Sequence, residues 1–249
     1  MRLRRAWVYI GGLALAAIIS GAAVYAFWFV QPNSDTSLDR DTLFQVAAFN
    51  TFSSGNYDGF LTYNELAEHG NFGIGTFDCL DGEMIALDGV FYQIPFDGKP
   101  NQADPIMKTP YATVTFFEAD QTISIAGPLN YSELKTNIDK LLQTDNAIYG
   151  IRIDGTYDYA QTRSVPKQTE PYPVLEEVIK NQSVFTLNNV SATAIGFWFP
   201  SSMNGIDFSG YHMHLITDDH SAGGHLLDCI ARNITIEIDQ TNKYNLVLS

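Results

Sequence analysis

Basic residues are scarce in this sequence of 249 residues, which has 14 Lys and Arg against 28 Asp and Glu. Three of the basic residues (Arg2, Arg4 and Arg5) lie at the extreme N-terminus, so the remainder is more acidic than the formal net charge of −14 indicates. A surface this acidic repels nucleic-acid phosphates, and we therefore expect no nucleic-acid partner. A small anionic substrate is not excluded, because one buried arginine suffices to bind it.

Cysteine is also rare, since Cys79 and Cys229 are the only two in the sequence. They permit at most one disulfide. Cys79 lies four residues before Glu83 and Cys229 lies four residues after His225, so the two could be neighbours in the fold. The expectation is nevertheless two buried thiols.

Charge is absent from residues 6–30, which follow the N-terminal arginines. This order, positive and then apolar, is that of an export signal, and the run is long enough to span a bilayer. Phe27-Trp28-Phe29 is typical of a membrane-interface belt. For residues 1–30 we favour an uncleaved membrane anchor over a cleaved signal peptide, followed by a linker over 31–42. The body of the protein is then exported and lies outside the cytoplasm.

The rest of the chain predicts a β-rich protein with two or three helices. Apolar runs separated by Asp-Gly pairs predict β-hairpins, including turns at Asp88-Gly89 and Asp154-Gly155. Capping boxes at Thr62 and Asn130 predict helix starts, as does Pro173.

The predicted fold class is α/β, more specifically a β-rich α+β fold with mixed and antiparallel sheets in two lobes. The N-terminal lobe is expected over residues 43–170 and the C-terminal antiparallel lobe over 171–249, with the boundary near 166–182. A metal site is expected between the lobes, on ligands from the C-terminal lobe.

Four of the five histidines fall within residues 210–225. His212 and His214 are two apart, so in a strand they share one face, and a turn over 218–224 brings His225 alongside. Three imidazoles are the ligand set of a catalytic zinc site with an open fourth position. A lone strand histidine is more often a hydrogen-bonded side chain, but this spacing favours a metal site. His220 lies in the turn and is expected in solvent.

Several separate motifs resemble those of the α-acetolactate decarboxylases. They are Phe72-Gly73-Ile74-Gly75-Thr76-Phe77, Leu80-Asp81-Gly82-Glu83, Ile151-Arg152-Ile153-Asp154-Gly155, Thr162-Arg163-Ser164-Val165-Pro166, Gly210-Tyr211-His212-Met213-His214 and Gly223-Gly224-His225. The resemblance covers roughly residues 43 to 240. It implies a two-domain α/β fold, a homodimer, a zinc ion near the domain interface, and decarboxylation of 2-acetolactate to acetoin and carbon dioxide.

By this resemblance His212, His214 and His225 are the metal ligands, and the other site residues are Thr76, Glu83 and Arg163. Arg163 can pair with the substrate carboxylate. Glu83 enters an apolar strand, where burial raises the pKa of a carboxyl group and suits it to proton transfer. Thr76 would either form a hydrogen bond with the substrate or be an ordinary strand residue without a functional role. Without the resemblance, Glu83 would be interpreted as a solvated edge-strand residue and Arg163 as part of a surface ion pair. Arg152 is expected in a structural ion pair.

The implied chemistry follows from the substrate. A 2-hydroxy-3-oxo acid loses carbon dioxide when the adjacent ketone accepts the electrons left behind, and zinc stabilises that charge as a Lewis acid. Thiamine and pyridoxal cofactors are then not required. The family also uses a glutamate from a C-terminal tail. Glu237 and Asp239 lie within or at the end of a strand, so we expect that carboxylate to have no counterpart before Ser249.

Two other functions remain open from the residues alone. A cupin-like metalloenzyme also uses a His-x-His pair, but its motif places a glutamate shortly afterwards, whereas here Asp218 is the nearest carboxylate. A membrane-tethered zinc-binding module without catalysis would need a fourth protein ligand, for which His220 is the only nearby histidine.

Overall fold

The computed structural model describes residues 41–248. These residues belong to one compact unit. Across that range no helix has the length and apolar character needed to cross a membrane. The anchor or signal peptide expected over residues 1–30, and nearly all of the linker over 31–42, lie outside the described residues.

Strands account for most of the regular structure. In chain order they are β1 (Thr42–Val46), β2 (Leu61–Thr62), β3 (Phe72–Thr76), β4 (Glu83–Leu87), β5 (Val90–Ile94), β6 (Asn101–Gln102), β7 (Lys108–Thr109), β8 (Ala112–Thr115), β9 (Gln121–Ile125), β10 (Leu129–Asn130), β11 (Ile148–Ser164), β12 (Ser183–Phe199), β13 (Gly210–Thr217), β14 (Gly223–Thr241) and β15 (Lys243–Val247). This content agrees with the β-rich fold that the sequence predicts.

Two large sheets contain nearly all of these strands. The first sheet has the order β15-β1-β8-β3-β4-β5-β6, and its pairs are antiparallel except for the parallel pair β1–β15. The second sheet has the order β10-β14-β11-β12-β13, with β9 also paired to β14. Because β13 pairs with β14 as well, strands β11 to β14 form a closed circuit. Strands β2 and β7 pair with each other.

Four short α-helices lie in the described part of the chain. They are α1 (Phe49–Ser53), α2 (Tyr63–Leu66), α3 (Tyr131–Asp139) and α4 (Leu175–Ile179), with 3₁₀ turns at Asp78–Leu80 and Ser201–Met203. Both predicted capping boxes form, with Thr62 accepting from the backbone N–H of Glu65 and Asn130 from that of Glu133. The helix expected from Pro173 begins two residues later, at Leu175.

Of the two predicted Asp-Gly turns, the one at residues 88–89 forms and the one at residues 154–155 does not. Asp88 and Gly89 join β4 to β5 with left-handed φ angles of 52° and 82°, as a tight hairpin requires. The hairpin predicted at Asp154-Gly155 is wrong, because β11 runs through it unbroken. The register with β14 shifts there instead, and a Cβ on Gly155 would lie 3.0 Å from the Cα of Ile234. That glycine allows close strand approach at a bulge.

The lobe boundary predicted near residues 166–182 does not follow the sheets. Strands β9 to β11 precede it, yet they lie in the second sheet with β12 to β14, and β15 returns to the first sheet. Lobes of 43–170 and 171–249 would each contain strands of both sheets. The reason is that β11 pairs along nearly its whole length with both β12 and β14, and this pairing outweighs proximity in sequence.

Apolar side chains from both sheets meet in one inter-sheet layer. The first sheet contributes its β1, β3, β4 and β5 side chains and the second its β11, β12 and β13 side chains, namely Leu43, Phe72, Ile74, Ile85, Ile94, Ile148, Ile195, Phe197, Phe199 and Ile216. A separate core lies on the other face of the second sheet, where Leu134 and Ile138 of α3 pack. The inter-sheet layer therefore fixes which strand faces confront each other.

Arg152 has the structural role expected for it. Its Nε lies 2.8 Å from Asp154 Oδ2 and its Nη1 lies 2.9 Å from Asp88 Oδ1. Both cysteines are free thiols, Cys229 buried and Cys79 only partly so. The structure thus has the thiols that were expected, although one of them is not fully buried.

Gly196 controls how closely β12 and β13 approach. It pairs with Met213, and a Cβ there would lie 2.0 Å from the backbone oxygen of His212. Because this contact is with backbone, we expect Gly196→Ala to lower the free energy of unfolding by about 1–3 kcal/mol, measured by urea denaturation. The control is Gly127→Ala, where a Cβ meets nothing within 4 Å. Equal stability of the two variants would contradict this interpretation.

Candidate functional site

Three histidines converge where β13 meets β14. His212 and His214 alternate with Met213 on β13, and His214 lies directly opposite His225 of β14. The turn between the strands closes through a hydrogen bond from the backbone N–H of Thr217 to the Ala222 oxygen. One ring nitrogen from each histidine lies within 4.8 Å of the other two. This is the convergence that strand periodicity predicts.

Their protonation state suits metal binding. Burial lowers the pKa of His212 to about 3 and those of His214 and His225 well below the ordinary value, and the charge of Arg163 lowers all three further. The Nδ1–H of His214 donates to the Met84 carbonyl oxygen at 2.8 Å. That hydrogen bond leaves Nε2 of His214 unprotonated, with its lone pair available.

Two ring nitrogens of the cluster lack a hydrogen-bond partner in the described chain. His214 Nε2 and His225 Nδ1 are buried, and no group in residues 41–248 forms a hydrogen bond with either. Buried polar atoms without partners are rare in proteins, and a metal ion between neutral imidazoles would satisfy them. The three side chains therefore fit a metal ion.

His220 does not join this cluster. It lies exposed in the turn with a φ of 52°, and its ring centroid is 4.7 Å from that of Tyr92. The structure places it where the turn prediction puts it, away from the converging nitrogens.

Glu83 and Arg163 form a buried ion pair beside the histidines. The Nη1 of Arg163 lies 2.6 Å from Glu83 Oε1, and Glu83 Oε2 lies 3.5 Å from His214 Nε2. Glu83 is the first residue of β4, whereas Arg163 lies on β11 opposite His225. Burial raises the pKa of Glu83, and the charge of Arg163 opposes that rise. The carboxyl group is thus poised to hold a proton closer to neutral pH than an exposed glutamate.

Thr76 is the cross-strand partner of Glu83 in the first sheet. Its hydroxyl donates to the Gly82 carbonyl oxygen at 2.6 Å, and the side chain is buried. The proton of Thr76 is therefore engaged by backbone, while its oxygen lone pairs can still accept a hydrogen bond. Thr76 fixes the turn from which Glu83 emerges.

A cavity of about 270 Å³ opens onto this group. Its polar lining is Thr76, Glu83, Arg163, Gln182, His212 and His225, and its remaining lining is Phe49, Phe52, Gly75, Leu80, Tyr111, Val165, Leu175, Ile179, Phe208 and Leu227. The sequence reasoning did not identify the aromatic wall or the contribution of α4. Phe49 and Phe52 share one face of α1, but nothing in the sequence links that face to residues 160 positions away.

Glu83 is the only carboxylate among the lining residues that the structure describes. Glu237 Oε2 lies 3.8 Å from Arg152 Nε, and Asp239 accepts a hydrogen bond from the backbone N–H of Glu118. Neither side chain lines the cavity, so neither supplies the further carboxylate that the resemblance implies.

Asp207 is a second buried carboxyl group, located behind the aromatic wall. It accepts hydrogen bonds from the hydroxyls of Tyr111 at 2.7 Å and Thr113 at 3.1 Å, and from the backbone N–H of Phe208. Burial raises its pKa to about 7, and these donors oppose the rise. The ring of Phe208 packs 5.9 Å from that of His212, so Asp207 helps to place the outer wall of the cavity.

Residues 43–249 match the family model described as alpha-acetolactate decarboxylase. The chain belongs to the α-acetolactate decarboxylase family. This confirms the resemblance seen in the motifs and the expected enzyme class, a carboxy-lyase. All six residues that the resemblance assigns to the site lie within the matched range.

Individual α-acetolactate decarboxylases are similar over most of the chain. The protein of Methanosarcina mazei is 46% identical over 188 residues, which are 76% of this chain and 65% of that protein. The chain therefore spans less than two thirds of the length of that relative. The protein of Methylococcus capsulatus is 40% identical over 204 residues, 82% of this chain and 78% of that protein.

A crystal structure of α-acetolactate decarboxylase from Bacillus subtilis strain 168 superimposes with a TM-score of 0.81 at 37% identity. The superposition covers 83% of this chain and 88% of that one. The similarity confirms the fold class expected from the sequence, a β-rich fold with mixed and antiparallel sheets.

Asp207 should make stability depend on pH. Its pKa is about 7 in the folded protein, against an ordinary value of 3.8. Between about pH 4 and 7 the folded state keeps this proton while the unfolded state releases it, so its contribution to the free energy of unfolding falls as pH rises. Asp207→Asn should flatten that dependence in urea denaturation across this range. Asp145→Asn, at an exposed position, is the control. Equal slopes for wild type and Asp207→Asn would contradict the assignment.

Proposed function

We propose that this protein catalyses the zinc-dependent decarboxylation of 2-acetolactate to acetoin and carbon dioxide. Membership of the α-acetolactate decarboxylase family supports the reaction. The observation that carries the proposal is the convergence of three neutral histidines beside the Glu83–Arg163 ion pair, where His212 and His225 line the same cavity as that pair. A zinc-binding module without catalysis would leave that ion pair without a role.

His212, His214 and His225 would hold the zinc ion. Three imidazoles without a sulfur ligand match a catalytic zinc site, which keeps a position open for substrate. When bound, zinc supplies Lewis-acid stabilisation of negative charge on oxygen. The Met84 carbonyl fixes the ring of His214 through its Nδ1–H, which orients the opposite nitrogen.

Arg163 would bind the substrate carboxylate. It is the only cationic side chain among the cavity-lining residues in the described range. One guanidinium N–H group already contacts Glu83, and other donors remain for an incoming anion. The guanidinium therefore orients a 2-hydroxy-3-oxo acid with its carboxylate near Glu83.

Glu83 would supply the proton that replaces carbon dioxide. When the bond between carbon 2 and the carboxylate breaks, its electron pair passes to the neighbouring ketone, and a proton must then reach carbon 2. Glu83 Oε1 faces Arg163, whereas Oε2 has no hydrogen-bond donor of the described chain. The raised pKa of Glu83 lets Oε2 carry a proton, which water restores after release of the product.

The apolar wall would accommodate the methyl groups of the substrate. Phe49, Phe52 and Phe208 line the same cavity as the polar groups. These rings would exclude water, so the polar side chains would be the partners of the reacting atoms. Electrostatic interactions are stronger in such a water-free site.

We propose a homodimer, held outside the cytoplasm by residues 1–30 as a membrane anchor or secreted after cleavage. Light scattering would measure the mass of the assembly, and cell fractionation would locate it.

The direct test is acetoin release from racemic 2-acetolactate by purified, metal-stripped and zinc-restored protein. Restoration of turnover at one zinc per chain is the expected result. Zinc bound at that ratio without acetoin release would contradict the proposed reaction, and turnover unaffected by metal removal would contradict the zinc dependence.

Two substitutions should separate metal binding from proton transfer. Glu83→Gln should retain zinc and lose roughly 10²–10⁴-fold in rate, because the amide holds no transferable proton. His212→Ala should lose both zinc and activity. Zinc content and initial rates are the measurements, and Glu176→Gln on the exposed face of α4 is the matched control. Full activity of Glu83→Gln would show that another group supplies the proton.

A further inference from the structure

Phe208 lies at the solvent-exposed edge of the cavity. The residue is 47% exposed, whereas Phe52 and Tyr111, which line the same cavity, are 5% and 3% exposed. The buried part of the wall is close-packed, because the ring of Phe52 stacks on that of Tyr111 at a centroid distance of 4.7 Å. Phe208 is therefore in contact with both the cavity and solvent.

Two ring contacts and two backbone hydrogen bonds hold Phe208 in place. Its ring packs edge-to-face against Phe49 at a centroid distance of 6.0 Å and against His212 at 5.9 Å. Such pairs are more favourable than the buried area alone accounts for. The backbone N–H of Phe208 donates to Asp207 Oδ1, and the Ile206 oxygen accepts from the backbone N–H of Phe49 at 2.8 Å. Although exposed, the ring has a defined position and can set a steric limit.

The three histidine rings form a triangle whose corners have different neighbours. Their centroids are 5.0 to 5.3 Å apart. Arg163 is the cross-strand partner of His225. Phe208 packs on His212, and of the three histidine rings in the described chain only this one is in ring contact with it. The proposed carboxylate-binding group and Phe208 thus adjoin different corners of the triangle.

The proposed substrate has a direction that fits this arrangement. In a 2-hydroxy-3-oxo acid the carboxylate is carbon 1, the hydroxyl and ketone oxygens are on carbons 2 and 3, and carbon 4 ends the chain. With the carboxylate at Arg163 and both oxygens facing the histidines, carbon 4 would be furthest from Arg163, at the corner where Phe208 lies. The other alkyl group, on carbon 2, would stay nearer to Arg163, because carbon 2 carries the carboxylate.

We propose that Phe208 is a specificity-determining residue whose ring limits the size of the group on the ketone carbon of the substrate. The inference rests on the proposed function and deepens it. The methyl group of 2-acetolactate fits against the ring, whereas a larger group would meet it, and overpacking a fixed site is unfavourable. Phe208 thereby selects 2-hydroxy-3-oxo acids with a methyl ketone over those with a larger acyl group.

The test uses three unreactive acids. Replacing the ketone by a hydroxyl removes the group that accepts the electron pair, so 2,3-dihydroxy acids keep both oxygens but cannot lose carbon dioxide. The parent acid is 2,3-dihydroxy-2-methylbutanoate. In 2,3-dihydroxy-2-methyl-4-phenylbutanoate a phenyl group is added to carbon 4, and in its isomer 2-benzyl-2,3-dihydroxybutanoate the phenyl group is added to the substituent on carbon 2. All three are used with the same spatial arrangement of hydroxyl and carboxylate groups.

Their Kd values are measured by calorimetry on zinc-loaded wild type and on Phe208→Ala. The variant should bind the 4-phenyl acid about 10-fold or more tightly than wild type does, because the added ring can occupy the space that the side chain leaves. Its affinity for the parent acid should fall by no more than about 4-fold, as expected for one lost apolar contact. The affinity for the 2-benzyl isomer should change no more than that for the parent acid.

Phe60→Ala is the matched control. Phe60 is also 47% exposed, and it is not among the described residues that line the cavity. This variant should change none of the three Kd values. Phe208→Leu, which keeps an apolar side chain beside His212, should give a smaller gain for the 4-phenyl acid. Zinc content and thermal unfolding verify that each variant is loaded and folded.

Equal gains for the two phenyl isomers, a gain for the 2-benzyl isomer alone, or a gain for neither would overturn the inference. Loss of zinc from both Phe208→Ala and Phe208→Leu would also overturn it, by showing that the side chain supports His212 instead. Acetoin release by wild type is scored separately. An active wild type whose Phe208 variants do not discriminate refutes this inference alone, whereas an inactive wild type refutes the proposed function.

Discussion

The contact between the two sheets is the constraint on which the candidate site depends. Along β13, His212, His214 and Ile216 share the face that meets the first sheet, while Met213 and Leu215 pack into the other core. On β4, Glu83 and Ile85 likewise share the inter-sheet face. Burying the ten side chains of the inter-sheet layer, at roughly 1.5–3 kcal/mol each, holds the histidines and Glu83 together. The hydrogen bond from His214 to the Met84 carbonyl crosses the same boundary.

Burial at this contact also determines the electrostatics of the site. It favours the neutral forms of the histidines and of Glu83, because ions lose hydration there. A buried ion pair such as Glu83–Arg163 contributes little net stability, since desolvation offsets the attraction. Its presence is better explained by function, in which the guanidinium orients an anion and the carboxyl group transfers a proton. The desolvation of this ion pair is thus a local loss of stability that accompanies reactive groups with shifted pKa values.

Local patterns in the sequence predicted those parts of the site that lie on one element. The two-residue spacing of His212 and His214 and the turn before His225 required only strand periodicity. The capping boxes at Thr62 and Asn130 likewise depend on neighbouring residues. The hairpin prediction at Asp154-Gly155 was wrong because an Asp-Gly pair also occurs at a β-bulge. Whether the pair forms a turn or a bulge depends on pairing with the partner strand, here β14. Sheet membership and the presence of Phe208 in the cavity wall depend on long-range pairing, which no local pattern contains.

In the proposed site, His212, His214 and His225 surround one zinc ion next to Glu83. Anomalous diffraction from crystals of the purified protein, recorded on both sides of the zinc absorption edge, would locate that ion. We expect one strong peak per chain among the three imidazole rings, with no sulfur within bonding distance. A peak located elsewhere, or its absence from a protein that decarboxylates 2-acetolactate, would contradict the proposed site.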